Sequence, residues 1–182
     1  MAWHLLLPFV PLLVLVGCAA ATDIRHRRIP NALTLMLAAT GLMQSLTHCR
    51  TVSFGQALAG LAAGAALTLA LYLLGALGGG DVKLFGGMGA WLGPALVLQV
   101  FAMTALAGAV LVLIQCAVRR RVGALVRNSA LVAVNLVHIT QVGVDHASAT
   151  GAACRSVDRP LPYALPALLA LLALPLVGRW MP

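Results

Sequence analysis

Six apolar runs, separated by short breaks that hold most of the charge, constrain this chain more than any other feature. A helix needs about 20 mostly apolar residues to cross a hydrocarbon core about 30 Å thick. Runs from about Leu5 to Thr22, Asn31 to Thr47, Gly55 to Leu77, Ala95 to Val118 and Leu161 to Val177 meet or approach that length. Between the third of these and the Ala95 run lies Val82 to Gly93, twelve residues that are apolar apart from Lys83. As helix it rises only about 18 Å, so it reads as a short, tilted or partly re-entrant span bounded by Gly78 to Gly80 and by the Gly93, Pro94 break. Only 9% of residues are charged and 62% are hydrophobic, where a soluble domain carries charge on roughly a quarter. The expectation is an all-α integral membrane protein of about six transmembrane helices. Residues 1–182 would form one polytopic unit with no soluble domain.

The charges orient these spans. A formal charge of +8 on a soluble fold would suggest nucleic acid, but in a polytopic chain Lys and Arg mark the loops that stay in the cytoplasm. With the N-terminus outside, ten of the twelve basic residues fall inside: Arg25, Arg27 and Arg28, then Lys83, then Arg119, Arg120, Arg121, Arg127, Arg155 and Arg159. Only Arg50 and Arg179 fall outside, so six spans in this orientation are expected, and nucleic acid is not an expected partner. The tetrad Leu15, Val16, Gly17, Cys18 resembles a lipoprotein cleavage box, and Ala19 to Ala21 could suit signal peptidase. Both need a basic start, and Met1 to Pro8 has neither Lys nor Arg, so the first run is expected to be retained. Cys18, Cys49, Cys116 and Cys154 form no CxxC pair, which supports neither a zinc module nor a redox motif.

Residues 119–160 form the longest cytoplasmic loop in this scheme. Within it Asn128 to Val144 is uncharged but carries Asn128, Asn135, His138 and Gln141 at helical spacing. That pattern fits an amphipathic helix lying at the interface; the alternative is a seventh span, which would bring the C-terminus inside.

The four acidic residues are all aspartates, and there is no glutamate. Asp145 and Asp158 lie in the long loop and read as solvated acids; His138, His146 and Cys154 nearby match no metal-ligand spacing. Asp23 ends the first apolar run and Asp81 opens the fourth, so two carboxylates 58 residues apart share one membrane boundary. A carboxylate there is costly against lipid and usually faces the bundle interior or a wet cavity. Gly78, Gly79, Gly80, Asp81 spell GxGD. Glycine permits positive φ and close approach of another backbone, which would let an extended substrate lie beside Asp81; the alternative is a linker before a helix capped by Asp81. After Asp23 come Ile24, Arg25, His26, Arg27, Arg28, Ile29, Pro30 and Asn31, in which Pro30 stops the preceding segment and Asn31 is expected to cap the next.

Asp23 followed by Arg28, Ile29, Pro30 and Asn31, then Gly78 to Asp81 with Lys83, resembles the type IV prepilin peptidases, integral membrane aspartyl proteases of the GxGD class. The resemblance extends over nearly the whole chain. Arg159, Pro160, Leu161, Pro162, Tyr163 is similar to the start of the last span in the tight-adherence (Flp pilus) branch. The bifunctional members carry an N-terminal cytoplasmic region with paired CxxC cysteines and also methylate the new N-terminus; this chain opens on its first span without them, so the resemblance is to the short, peptidase-only form. It implies a bacterial inner-membrane endopeptidase with its site at the cytoplasmic face. Its substrate would be a Flp-like pilin precursor with a short basic leader ahead of a hydrophobic helix.

Peptide hydrolysis by two carboxylates needs one ionised, to activate water, and one protonated, to polarise the scissile carbonyl. Carboxylates about 3 Å apart cannot both ionise and so share a proton. Asp23 and Asp81 are the candidate pair, and coupled titration leaves open which is the base. No metal or cofactor is required. Gly78, Gly80 and Lys83 are candidate supporting residues. Lys83 is expected to point outward and snorkel, with contact to substrate backbone as the alternative. Gly60 and Gly64 form a GxxxG pair expected to allow close helix packing. The competing function class is a non-catalytic transporter or pilus assembly scaffold, in which the aspartates would move protons or cations.

Overall fold

A computed structural model describes residues 9–47, 52–74, 77–118 and 163–174, and among these it is all-helical with no strand. The 119–160 loop, its Asn128 to Val144 segment, Asp145, Asp158 and the ends of the first and last predicted spans lie outside the described residues.

Helix α1 runs Val10–His26, with Pro11 in its first turn, where the missing N–H has no partner to lose. It ends at Arg27 in the left-handed region, φ 52° and ψ 32°, whose N–H donates to the Asp23 carbonyl at 2.9 Å. Helix α2, Asn31–Ser45, begins directly after Pro30, which holds the capping position without a side-chain hydrogen bond. The expectation that Asn31 caps this helix is therefore corrected: Asn31 is already its first residue. Helix α3, Phe54–Leu73, opens with a capping box in which Ser53 and Gln56 exchange side-chain and backbone bonds.

Helix α4, Gly79–Val118, departs from helical geometry at Gly93, φ 76° and ψ 174°, next to Pro94. Its two arms fold back on each other. Phe85 and Phe101 make an edge-to-face contact with ring centroids 5.6 Å apart, whereas sixteen residues of continuous helix would separate their Cα atoms by about 24 Å. The break thus falls where the Gly-Pro pair predicts it, and α4 is a helical hairpin. Phe54–Leu73 and Gly79–Gln115 are both long and apolar enough to cross a membrane. The length of the second belongs to two antiparallel arms, of which the one after Pro94 rises roughly 35 Å by itself. Helix α5, Ala164–Ala173, packs against α1 and α4.

Small residues bring these helices together. A Cβ on Gly60 would fall on the Gly89 carbonyl, and one on Gly89 would fall on the Gly60 carbonyl. One turn along, a Cβ on Gly64 would meet the Phe85 carbonyl. α3 therefore crosses the first arm of α4 antiparallel and backbone to backbone, the close packing expected of the GxxxG pair. On the other side α2 runs parallel to that arm. Leu37 sits on Gly87, Trp91 Nε1 donates to the Leu37 carbonyl at 3.0 Å, and Gln44 reaches the Trp91 carbonyl at 3.4 Å. The core joins Leu12, Val16, Leu37, Phe85, Met88 and Val100, while Leu69, Leu98, Leu106, Leu113 and Ile114 face outward. Apolar surface of that extent is expected of helices bathed in lipid rather than water.

Candidate active site

Among the described residues several helix ends meet at one face: the C-terminal ends of α1 and α3, and the N-terminal ends of α2, α4 and α5. Asp23 lies in the last turn of α1 and Asp81 in the first turn of α4. Asp81 is buried, 8% exposed, and Asp23 is half-buried. The two are near enough for the charge of one to act on the other.

The GxGD run does not behave as a flexible linker. Gly79 and Gly80 are helical, and Gly93 is the one glycine with positive φ among the described residues. The expectation that these glycines serve through positive φ is replaced by a different use. Gly78 N–H donates to Asp81 Oδ2 at 3.1 Å and Asp81 N–H returns a bond to the Gly78 carbonyl at 3.1 Å. The carboxylate caps its own helix, which leaves it fixed in orientation and stabilised by the helix N-terminus. The absent side chains matter for fit: a Cβ on Gly78 would stand 3.3 Å from Asp81 Oδ2, and one on Gly80 would stand 3.4 Å from the Ile29 side chain.

Ile29 on Gly80 is one of two contacts that seat the segment after α1 upon the start of α4. The other is Lys83, whose ammonium donates to Asn31 Oδ1 at 2.9 Å. Lys83 is exposed as expected, yet its charge is spent on tying the second motif to the first rather than extended into the interface. Arg25, His26, Arg27 and Arg28 are exposed around this seam, and Arg27 lies within electrostatic range of Asp23.

The last helix completes the site, a part that the sequence pattern does not assign to it. Ala164 N–H, at the first residue of α5, donates to Asp23 Oδ2 at 3.3 Å across 141 residues of chain. Tyr163 immediately precedes it, half-buried and within range of the Asp81 charge. The tyrosine is visible in the sequence, but a backbone N–H is common to nearly every residue and carries no signal of its target. Among the described residues no group of His, Cys, Asp or Glu could hold a metal ion.

What these residues can do chemically is hold two carboxylates at one end of the bundle, each with one oxygen bonded to a backbone N–H and the charge of one acting on the other. A family profile described as the type IV leader peptidase family matches residues 10–113, more than half of the chain, including both aspartates. No curated protein and no solved structure matches.

Proposed function

The chain belongs to the type IV leader peptidase family, and on that premise we propose that it is an aspartyl endopeptidase whose dyad is Asp23 and Asp81. The observation that carries the reading is the convergence of the only two described carboxylates at one end of the bundle, the buried one following GxGD. In the proposed step one carboxylate takes a proton from water, the hydroxide oxygen adds to the scissile carbonyl carbon, and the other carboxylic acid gives its proton to the carbonyl oxygen. Breakdown of the tetrahedral intermediate breaks the C–N bond, with the proton passing to the leaving amine. One water is consumed, leaving a leader carboxylate and a free pilin N-terminus.

The substrate class follows from the family: a prepilin, here proposed to be Flp-like, with the bilayer as the second partner. A hydrophobic helix held in the membrane would present its end at the depth of Asp23 and Asp81. The basic residues beside Asp23, Arg25 to Arg28, support assigning this face to the cytoplasm. Gly78 and Gly80 are proposed to leave room beside Asp81, and Lys83 to hold the Asn31 segment against it. The proposal is limited to peptide hydrolysis.

Co-expression with a pilin precursor from the same genome, followed by immunoblot of precursor size, tests the dyad. Wild type is expected to convert the precursor, and Asp23→Asn and Asp81→Asn to leave it uncut. Equal processing by all three proteins removes the dyad, and no processing by any favours the non-catalytic scaffold.

A further inference from the structure

The two aspartates sit at opposite ends of their own helices, and their surroundings differ accordingly. Asp81, in the first turn of α4, is served by its own chain, since Gly78 N–H donates to its Oδ2 at 3.1 Å. Asp23 lies in the last turn of α1, where a helix presents unpaired carbonyls and the negative end of its dipole. That end of α1 supplies acceptors rather than donors and opposes a carboxylate charge. Among the described residues one N–H bonds the Asp23 carboxylate, that of Ala164, at 3.3 Å to Oδ2.

Ala164 is the first residue of α5, so its N–H has no acceptor within its own helix, and the Asp23 carboxylate supplies one. α5 packs on α1 with its start at the end of α1, so the positive end of one dipole meets the negative end of the other. Small residues make the fit close: Ala164, Ala167 and Ala170 of α5 and Ala19 and Ala20 of α1 are all buried in the shared core. A donor carried by a packed helix is held more closely than one on a loop. We propose that Ala164 is a positioning residue of the peptidase centre, its backbone N–H doing for Asp23 what that of Gly78 does for Asp81: fixing one carboxylate oxygen and leaving the other for the reaction. The family match ends at residue 113, so a group required for turnover lies on a helix beyond the matched segment. The inference rests on the peptidase reading above.

The donor is one backbone group, and it can be removed alone. Nonsense suppression with lactic acid at position 164 replaces the N–H by an ester oxygen and keeps the methyl side chain. The same exchange at Ala167 is the control, because its N–H bonds the Tyr163 carbonyl at 3.3 Å and neither aspartate. Each exchange removes one hydrogen bond, so both are expected to lower the melting temperature to a similar degree. Turnover separates them in steady-state cleavage of a prepilin by the full-length protein in detergent. The ester at 164 is expected to lower kcat by roughly ten- to a hundredfold, the scale of a misplaced reacting group, with KM within about twofold, the pattern of an interaction that matters only in the transition state. The ester at 167 is expected to keep both constants within about twofold of wild type. Unchanged kcat at 164, an equal loss at 167, or a rise in KM alone overturns the positioning role while leaving the peptidase intact. Absence of cleavage by wild type overturns the peptidase reading and this inference with it. Should the 164 ester elute as aggregate, amide hydrogen exchange in the natural chain addresses the same bond: slow exchange at Ala164 in wild type that becomes fast in Asp23→Ala supports it, and equal rates overturn it.

Discussion

In the proposed mechanism Asp81 serves two purposes with one side chain, capping α4 and taking part in the cleavage, and substitution can separate them. The Asn carboxamide oxygen can still accept from Gly78 N–H, so Asp81→Asn should keep the first turn of α4 and melt near wild type while cleavage falls by about 10²- to 10⁴-fold, the range for loss of a general acid or base. Asp81→Ala loses the cap as well and should lower stability by about 1 kcal/mol; scanning fluorimetry alongside the cleavage assay distinguishes the two. The Lys83 to Asn31 bond invites a double-mutant cycle with Lys83→Met and Asn31→Ala. A coupling of about 0.5–1 kcal/mol is expected for an exposed hydrogen bond with one charged partner, and zero coupling would mean the contact is not formed in solution. The scarcity of carboxylates makes Asp23 and Asp81 legible from the amino-acid order alone. Asn31 reads as a cap because Asn is favoured there, a local preference overridden once Pro30 takes the position and Lys83 engages the side chain from 52 residues away. Partners at that separation leave no local pattern.

At the level of elements, the α3 and α4 crossing is set by atoms that are missing. Because a Cβ at Gly60 would meet backbone rather than a mobile side chain, Gly60→Ala should cost about 1–3 kcal/mol, the scale of overpacking, with the helices forced apart at their closest point. Gly17 and Gly108 have nothing within 4 Å of an added Cβ, and alanine there should leave the melting temperature unchanged or slightly raised, since Ala is the better helix former. Equal effects at Gly60 and Gly17 would contradict the crossing. Gly93 differs in kind: its φ of 76° is open to glycine at little cost, so Gly93→Val should weaken the hairpin through backbone strain even though the nearest atom to its added Cβ stands 3.4 Å away, on Val52. Period and punctuation make the helices and this break legible in the sequence. The parallel seating of α2 against the first arm is not, because every apolar helix face offers a plausible partner and only the Gly87 and Gly41 notches, against Leu37 and Trp91, choose among them.

For the molecule as a whole, charge and contact make separate statements about orientation that must agree. The contacts place Asp23, Asn31, Gly80 and Ala164 at one end of the bundle and Gln56 and Gly93 at the other. In the proposed orientation the first end faces the cytoplasm, because Arg25, Arg27, Arg28 and Lys83 stand there and lysine and arginine resist translocation. Single cysteines in a cysteine-free background, at Arg28 for the first end and at Ser53, the exposed cap of α3, for the second, convert this into a measurement with a membrane-impermeant maleimide on intact spheroplasts. Ser53→Cys should label before lysis and Arg28→Cys only after it. The reverse pattern would place Asp23 and Asp81 outside, away from a leader that has not been translocated, and the proposed substrate geometry would fail although the fold stayed the same. Labelling of both before lysis would mean that the two ends are not on opposite sides of the bilayer, and these helices would then have to lie within one leaflet.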